Sequence, residues 1–274
     1  MTDLVVRRLL VDMEAPIERH WCDGDPFRTA LFDALSMSFP VGEQFFIDSV
    51  RNGHRALPAD KQEPLRAGVQ GFIGQEATHR RLHALYNAQL DKLGLVNEWA
   101  PRAQQRLKLL EGADPRHPVA ITAANEHFTA ILADWLLHNA DVLGTRDPRL
   151  VTLWLWHSAE ESEHKAIAFD VYQALGGNHE WRITWFRRIT TVFLGDLLRQ
   201  TVCNLRRDGS LWKWRTWKSA AQHLFGKRGF VRQTYRPWRE YLRPDFHPNQ
   251  QDSSASARWL QEHSDAFTPV GSPA

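Results

Sequence analysis

The sequence predicts an all-α protein centred on a bundle of four long helices. Three observations favour this fold class: apolar residues recur at helical spacing over long stretches, short segments with Pro, Gly and Asp separate those stretches, and alternating strand-like runs are nearly absent. Of the 274 residues, 43% are hydrophobic and 24% are charged, which is the balance of a packed globular protein.

The first two long helices are expected at about residues 26–51 and 60–93. Pro40 should kink or break the first helix just before Glu43, because proline has no backbone N–H and its ring clashes with the preceding turn. A kink there would direct Glu43 into the bundle. Gly94 is expected to end the second helix.

The other two long helices are expected at about residues 118–143 and 148–175, each followed by glycine. Residues 98–118 separate the second helix from the third and contain a short helix candidate at 102–110. Short loops within each helix pair and one long crossover between the pairs define a recurrent four-helix connectivity.

The composition changes after the fourth helix. Residues 180–243 are rich in Trp and Arg, with about four basic residues for every acidic one. We therefore expect a bundle in residues 1–178, a helical appendage in residues 179–248 and a polar tail in residues 249–274. The tail should be loose apart from a short stretch near Trp259.

Two interpretations of the Trp/Arg-rich region remain open. The favoured one is ordinary packing of extra helices over the bundle, with arginines on the solvent face. The alternative is peripheral contact with an anionic membrane surface, because Trp is stable at interfaces and Arg pairs with phosphates. The tryptophans concerned include Trp181, Trp185, Trp212, Trp214 and Trp217.

Charge and cysteine content exclude several classes of protein. The formal charge of +2 is too small to indicate a nucleic-acid partner. Cys22 and Cys203 lie far apart in sequence and suggest neither a disulfide framework nor a thiolate zinc site, so a cytoplasmic location is expected. No export signal or membrane span is expected. The sequence leaves open whether the protein is a monomer or a homodimer.

Two Glu-x-x-His motifs carry the chemical signal. Glu76 and His79 lie in the second helix, and Glu161 and His164 lie in the fourth, so each pair shares one helix face. One such motif alone is weak evidence, because Glu and His are common on solvated helix surfaces. Their repetition in two long helices is more specific.

A glutamate in an apolar setting precedes each motif. Glu43 lies 33 residues before Glu76, and Glu126 lies 35 residues before Glu161. Buried carboxylates need partners. In four-helix bundles, one Glu from each of two helices and a Glu-x-x-His from each of the other two can hold two metal ions. The sequence therefore predicts a two-metal site.

These residues resemble those of the ferritin-like di-iron carboxylate superfamily. Over about the first 180 residues the chain also resembles a bacterial family described as predicted metal-dependent hydrolases. The segments that carry this closer resemblance are Ser38–Phe46, Gln75–His79, Asn125–His127, Trp156–Lys165 and Pro244–Pro248. The resemblance implies a ferritin-like four-helix bundle with additional C-terminal helices. It also implies two bound metal ions, with iron expected and manganese or a mixed pair as alternatives.

Four further residues are expected to surround the ligands. Glu160 matches an acidic residue that precedes the ligand in bacterial multicomponent monooxygenases, so the resemblance implies that Glu160 orients a ligand histidine. Gln75 holds the equivalent position in the first half. His83 and His157 lie one turn from His79 and Glu161 and are expected to form outer hydrogen bonds.

Three functions are compatible with this site. The leading expectation is an oxygen-activating oxidase or oxygenase that acts on a small or lipid-like substrate. The second is a metal-dependent hydrolase that uses a metal-activated water. The third is a non-catalytic protein that binds metal or contacts a membrane surface. A fold and its ligands do not by themselves identify the reaction.

Overall fold

The computed structural model describes residues 4–270, and helices dominate them. In chain order the α-helices are α1 (Pro26–Arg55), α2 (Ala59–Gln62), α3 (Arg66–Lys92), α4 (Trp99–Lys108), α5 (Arg116–His138), α6 (Pro148–His164), α7 (Ile167–Ala174), α8 (His179–Arg207), α9 (Trp214–Phe225), α10 (Phe230–Glu240) and α11 (Ser254–Glu262). Strands β1 (Arg7–Leu9) and β2 (Phe267–Pro269) form one antiparallel pair. The expected all-α class is confirmed.

The four long helices pack mainly as two pairs. Helix α1 packs along α3, and α5 packs along α6; α1 also contacts α5, and α3 contacts α6. Helix α8 lies against both α1 and α5, and α4 contacts α1. Glu43 lies between two apolar clusters, because Phe39 belongs to one and Phe46 to the other. The four helices thus enclose the region where the predicted ligands occur.

Side-chain caps fix the beginnings of two of these helices. Asp25 caps α1 by accepting a hydrogen bond from the backbone N–H of Arg28. Asp147 caps α6 by accepting from the N–H groups of Arg149 and Leu150. A proline follows each cap, where its missing N–H has no consequence and its fixed φ suits the first turn.

Three of the expected long helices are shorter or divided. The second begins only at α3, because Pro64 lies in a 3-10 turn, Glu63–Leu65, that separates it from α2. The third ends at His138, where Asn139 leaves helical geometry and a 3-10 turn, Ala140–Leu143, follows. The fourth is divided into α6 and α7 immediately after His164.

The C-terminal tail is more ordered than the sequence predicts. Helix α11 packs on α6, where the Ser256 hydroxyl donates to the carbonyl of Ala159 at 2.7 Å and the Trp259 side chain is buried. Strand β2 pairs with β1. Helix α11 contains Trp259 and agrees with the expected exception near that residue, whereas the pairing of β2 with β1 was not expected. Residues 271–274 lie outside the described residues.

Helix α1 continues through Pro40, so the expected break is wrong. Proline cannot donate to the carbonyl four residues before it, which belongs to Ser36. The side-chain amide of Asn87, on α3, donates to that carbonyl at 3.0 Å. The Ser36 carbonyl therefore accepts a hydrogen bond from a neighbouring helix in place of the one that Pro40 cannot donate. This bond also links α1 to α3.

We predict that the Asn87 bond matters because Pro40 is present. Asn87→Ala should destabilise the protein by about 1–3 kcal/mol, since a buried carbonyl loses its partner. In a Pro40→Ala background the new N–H can satisfy Ser36, so the same change should cost less. Urea unfolding of the four proteins in a double-mutant cycle measures the coupling. Equal costs in both backgrounds would contradict this account.

Asp33 is a buried carboxylate in the core beneath the predicted site. Its Oδ1 accepts hydrogen bonds from the Trp21 indole at 3.0 Å and the Tyr86 hydroxyl at 2.6 Å. Burial raises the pKa of Asp33 to about 7, outweighing these two hydrogen bonds, which lower it. The folded protein therefore holds this proton more tightly than the unfolded chain does.

This pKa predicts a pH dependence of stability. Between pH 4 and pH 7 the unfolded chain loses the Asp33 proton while the folded protein retains it, so the stability contributed by Asp33 falls as pH rises. Asp33→Asn should remove a slope of up to about 1.4 kcal/mol per pH unit. Denaturant unfolding from pH 4 to pH 8 tests this, with the exposed Asp60→Asn as control. Parallel curves for wild type and Asp33→Asn would refute it.

Candidate metal centre

The structure brings all six predicted ligands together inside the four-helix core. Glu43 lies on α1, Glu76 and His79 on α3, Glu126 on α5, and Glu161 and His164 on α6. All six side chains are buried, with at most 4% of any residue exposed. The Glu-x-x-His spacing therefore does place both members of each motif on the inner face of a helix.

The donor atoms form two groups. In the first, Glu76, Glu126, Glu161 and His164 each offer one atom within 4.8 Å of the others. The His164 Nε2 atom lies 3.2 Å from a Glu76 oxygen and 3.4 Å from a Glu126 oxygen. The second group contains Glu43, His79 and His157 under the same distance limit.

Glu161 lies between the two groups. Its Oε2 is 3.5 Å from His164 Nε2, and its Oε1 is 3.5 Å from His79 Nδ1. A carboxylate that faces both groups can contact two cations at once, as bridging carboxylates do in two-metal sites. The arrangement consequently suits two neighbouring ions better than one.

Within residues 4–270, most of these donor atoms have no hydrogen-bond partner. Both oxygens of Glu43, Glu76 and Glu126 are buried and unpartnered, as are Glu161 Oε2, His79 Nδ1 and His164 Nε2. An isolated buried carboxylate is unstable unless a proton or a cation compensates its charge. The unpartnered atoms are carboxylate oxygens and imidazole nitrogens, which are hard or borderline metal ligands. The residues present therefore fit two divalent ions.

The close approach of these carboxyl groups also shifts their pKa values. Burial, followed by the neighbouring carboxylates, raises the pKa of Glu43 and of Glu126 well above the usual value. Burial would raise the pKa of Glu161, but the opposing effects, of which the positive charge of His164 is the largest, outweigh burial and lower that pKa well below the usual value. The central carboxylate is thus the most strongly anionic position of the site.

Each Glu-x-x-His histidine is held by a residue from the other motif's helix. His79 Nε2 donates to Glu160 Oε2 at 2.9 Å, which leaves Nδ1 free to face the site. His164 Nδ1 donates to Gln75 Oε1 at 3.0 Å, which leaves Nε2 free. Each of these two residues therefore orients the histidine of the opposite motif so that one ring nitrogen faces the site.

The charge of Glu160 also sets the state of its histidine. Burial would lower the pKa of His79, but the hydrogen bonds and charges of Glu160 and Glu161 outweigh burial and raise it to about 9. In contrast, burial and the neighbouring His79 lower the pKa of His157 to about 4. The neutral form of His157, which carries a free nitrogen lone pair, is the stable one.

Arg7 is a site component that the sequence did not reveal. Its guanidinium donates to Glu160 Oε1 at 3.0 Å and to Glu163 Oε2 at 2.6 Å. Strand β1 thereby holds the carboxylate that orients His79. No short-range pattern could predict this, because the partners are 153 residues apart in the chain.

A hydrogen-bond chain determines the tautomer of His157. The Asn87 amide donates to the Ser36 carbonyl, so Asn87 Oδ1 accepts from the Ser36 hydroxyl at 2.8 Å. The hydroxyl oxygen must then accept from His83 Nδ1 at 2.9 Å, and His83 Nε2 must accept from His157 Nδ1 at 2.8 Å. Neutral His157 consequently presents the Nε2 lone pair to Glu161 Oε1, 2.9 Å away.

Two acceptors at this separation need a proton or a cation between them. His157 Nε2 is also 3.8 Å from Glu43 Oε1 and belongs to the second donor group. We expected His157 to form only outer hydrogen bonds; the structure places it among the donors themselves, while His83 lies behind it. The signal in the sequence was the four-residue spacing from His157 to Glu161, which puts both on one helix face.

The helices and the buried donor groups define an all-α protein with a candidate site for two metal ions. The sequence model of the family described as "Predicted metal-dependent hydrolase" matches residues 5–252, so the chain belongs to that family. No curated protein and no solved structure is significantly similar to the chain.

The Trp/Arg-rich region is partly buried and partly exposed. Trp181 stacks on His117, and Trp185 donates a hydrogen bond to the same imidazole. Trp212 and Trp214 are 92% and 75% exposed. Among residues 4–270, no helix has the length and apolar content needed to cross a membrane. Contact with a membrane surface stays a prediction.

We predict that Glu160 supports metal binding without being required as a ligand. In Glu160→Gln the amide group cannot accept from both His79 and Arg7, so metal affinity should fall about 10–100-fold. Competition with a chromophoric chelator for Zn²⁺ and Mn²⁺ measures the change. Glu163→Gln, which also contacts Arg7 but not His79, should have a much smaller effect. Equal affinities in wild type and Glu160→Gln would contradict the orienting role.

Proposed function

We propose that the protein is a hydrolase that uses two metal ions held between α1, α3, α5 and α6. The observation that carries the proposal is the pair of buried donor groups that share Glu161. Membership of the metal-dependent hydrolase family supports the same reaction class. This reverses the order of our expectations from sequence, in which an oxidase came first.

The residues assigned to the ions are the six predicted from sequence together with His157. Two divalent ions in this position would lower the pKa of a bound water and polarise the bond to be hydrolysed. Glu161, which faces both donor groups, would contact both ions, while Glu160 and Gln75 would hold His79 and His164 in position. Each assignment is our proposal.

Aromatic side chains complete the site by excluding water. Trp156 packs edge-on against His79 with ring centroids 5.0 Å apart, and Phe72 packs likewise against His164 at 5.0 Å. Phe39 covers His157 at 4.8 Å. Charges in such a dry site interact more strongly than in water, which favours tight binding of cations and stabilises charge that develops during reaction.

A second candidate is oxygen activation at an iron or mixed manganese–iron pair. It is favoured by the ligand set, since one Glu from each of α1 and α5 and a Glu-x-x-His from each of α3 and α6 are the donors of ferritin-like di-iron proteins. We propose accordingly that these four helices form a ferritin-like bundle. The division into a bundle, an appendage and a tail, and the cytoplasmic location, are likewise proposals.

Metal dependence distinguishes the two reactions. Metal-free protein reloaded with Zn²⁺ or Mn²⁺ should hydrolyse p-nitrophenyl esters, because Lewis acidity and not redox chemistry is required. Anaerobic protein loaded with Fe²⁺ should not consume oxygen beyond the rate of free Fe²⁺. Turnover is followed by absorbance, and oxygen by an electrode. Glu161→Ala should abolish hydrolysis, while Glu163→Ala should retain it.

The opposite pattern would replace our proposal with the second candidate. Rapid oxygen consumption and a new near-ultraviolet band in the ferrous protein, with no ester turnover by any loaded form, would identify an oxidase. Metal analysis of protein purified from cells should then find iron. Zinc or manganese at about two ions per chain would agree with the hydrolase.

A further inference from the structure

A cavity of about 340 Å³ lies between α1, α4, α5 and α8, outside the donor groups. Its walls are mainly aromatic and aliphatic, formed by residues that include Phe46, Trp99, Ile121, Trp185 and Phe193. This size and lining are typical of sites for small organic ligands. Metal binding by the donor groups does not require this apolar cavity, so the cavity needs an explanation of its own.

The inner wall of the cavity backs onto the candidate metal centre. Phe39 lines the cavity and also packs on His157 and His83, with ring centroids 4.8 and 4.5 Å apart. Gly42 and Asn125 line it as well, and each directly precedes a predicted ligand, Glu43 or Glu126. The cavity therefore adjoins the donor groups through Phe39 and through the backbone next to Glu43 and Glu126.

The outer part of the cavity is positively charged. Arg188 lines it, is exposed and stacks on Trp185, with its guanidinium 5.4 Å from the ring centroid. No carboxylate in residues 4–270 forms an ion pair with Arg188 within 4.0 Å. Arg106, also in the lining, shares the single carboxylate of Asp196 with Arg102. Cationic charge thus exceeds anionic charge at this end.

We propose that this cavity binds an elongated aliphatic ester whose chain ends in a carboxylate. The carboxylate lies at Arg188 and Arg106, the chain fills the apolar chamber, and the ester end reaches Phe39 beside the donor groups. The reaction rests on the proposed function: water adds to the ester carbonyl carbon, the bond to the alcohol oxygen breaks, and the alcohol leaves with one proton of the water. The new acid releases the other proton.

Gly42 offers a way to fill the cavity. A Cβ atom added there would have only Phe46 as a neighbour within 4 Å, at 3.8 Å, so a larger side chain enters the chamber without displacing the backbone. Gly195 on α8 is the matched control, because a Cβ there meets nothing within 4 Å and the residue is not in the cavity wall. Both glycines lie inside helices, so propensity effects are shared.

Calorimetry with linear carboxylates from hexanoate to tetradecanoate tests the chamber, using the full chain with and without Zn²⁺. Affinity should rise about fourfold per added methylene until the cavity is full. Gly42→Leu should weaken dodecanoate binding by about tenfold or more, and Gly195→Leu should not. Ala103→Leu, which fills the cavity from α4, provides a second variant if Gly42→Leu does not fold. Binding independent of chain length, or unchanged in both filled variants, would overturn the proposal.

The charge requirement is tested separately with decanoate and decanol. Arg188→Gln should weaken decanoate severalfold and leave decanol unchanged, whereas the neighbouring exposed Arg187→Gln should affect neither. Decanol binding to wild type as tightly as decanoate would overturn the carboxylate assignment. Carboxylate binding that follows the expected pattern, with no turnover of dicarboxylic acid monoesters by metal-loaded protein, would refute the hydrolase and still support the cavity assignment.

Discussion

The structure is organised around the burial of four glutamates in one group of carboxylates and imidazoles. Glu43, Glu76, Glu126 and Glu161 are each at most 4% exposed, and no lysine or arginine pairs with any of them within residues 4–270. Such a cluster is tolerable only if protons or metal ions balance its charge. The long aromatic-rich helices supply the packing that can hold a core with this electrostatic cost.

The tautomer of a site histidine depends on a proline in α1. Pro40 leaves the Ser36 carbonyl without its helical donor, and the side-chain amide of Asn87 donates to that carbonyl instead. That single contact orients the Asn87 amide, and through Ser36 and His83 it determines which nitrogen of His157 is free. A continuous chain of directed hydrogen bonds therefore links the helix backbone near Pro40 to the ring nitrogens of His157.

The helical class and the choice of the six proposed donors follow from short-range spacing in the sequence, whereas the orienting role expected of Glu160 came from the family resemblance. Residues three apart on a long helix share a face in any fold, and two repeated motifs restrict how the helices can meet. The apolar periodicity predicted one continuous second helix, but Pro64 lies in the turn that separates α2 from α3. Arg7 and Asn87 could not be foreseen, since their partners lie on other elements and no local pattern encodes a contact between distant segments. The pairing of β2 escaped prediction for the same reason, because its partner strand β1 is distant in the sequence.

The pairing of β1 with β2 has a consequence for how the protein is made. Synthesis proceeds from the amino end, yet the strand that carries Arg7 pairs with residues 267–269, which are synthesised much later. During translation the helices can assemble around their carboxylates while β1 still lacks its partner strand, so the contact that orients His79 is completed late. Cations captured by the nascent chain would therefore meet a looser, more exchangeable site than the one in the finished protein.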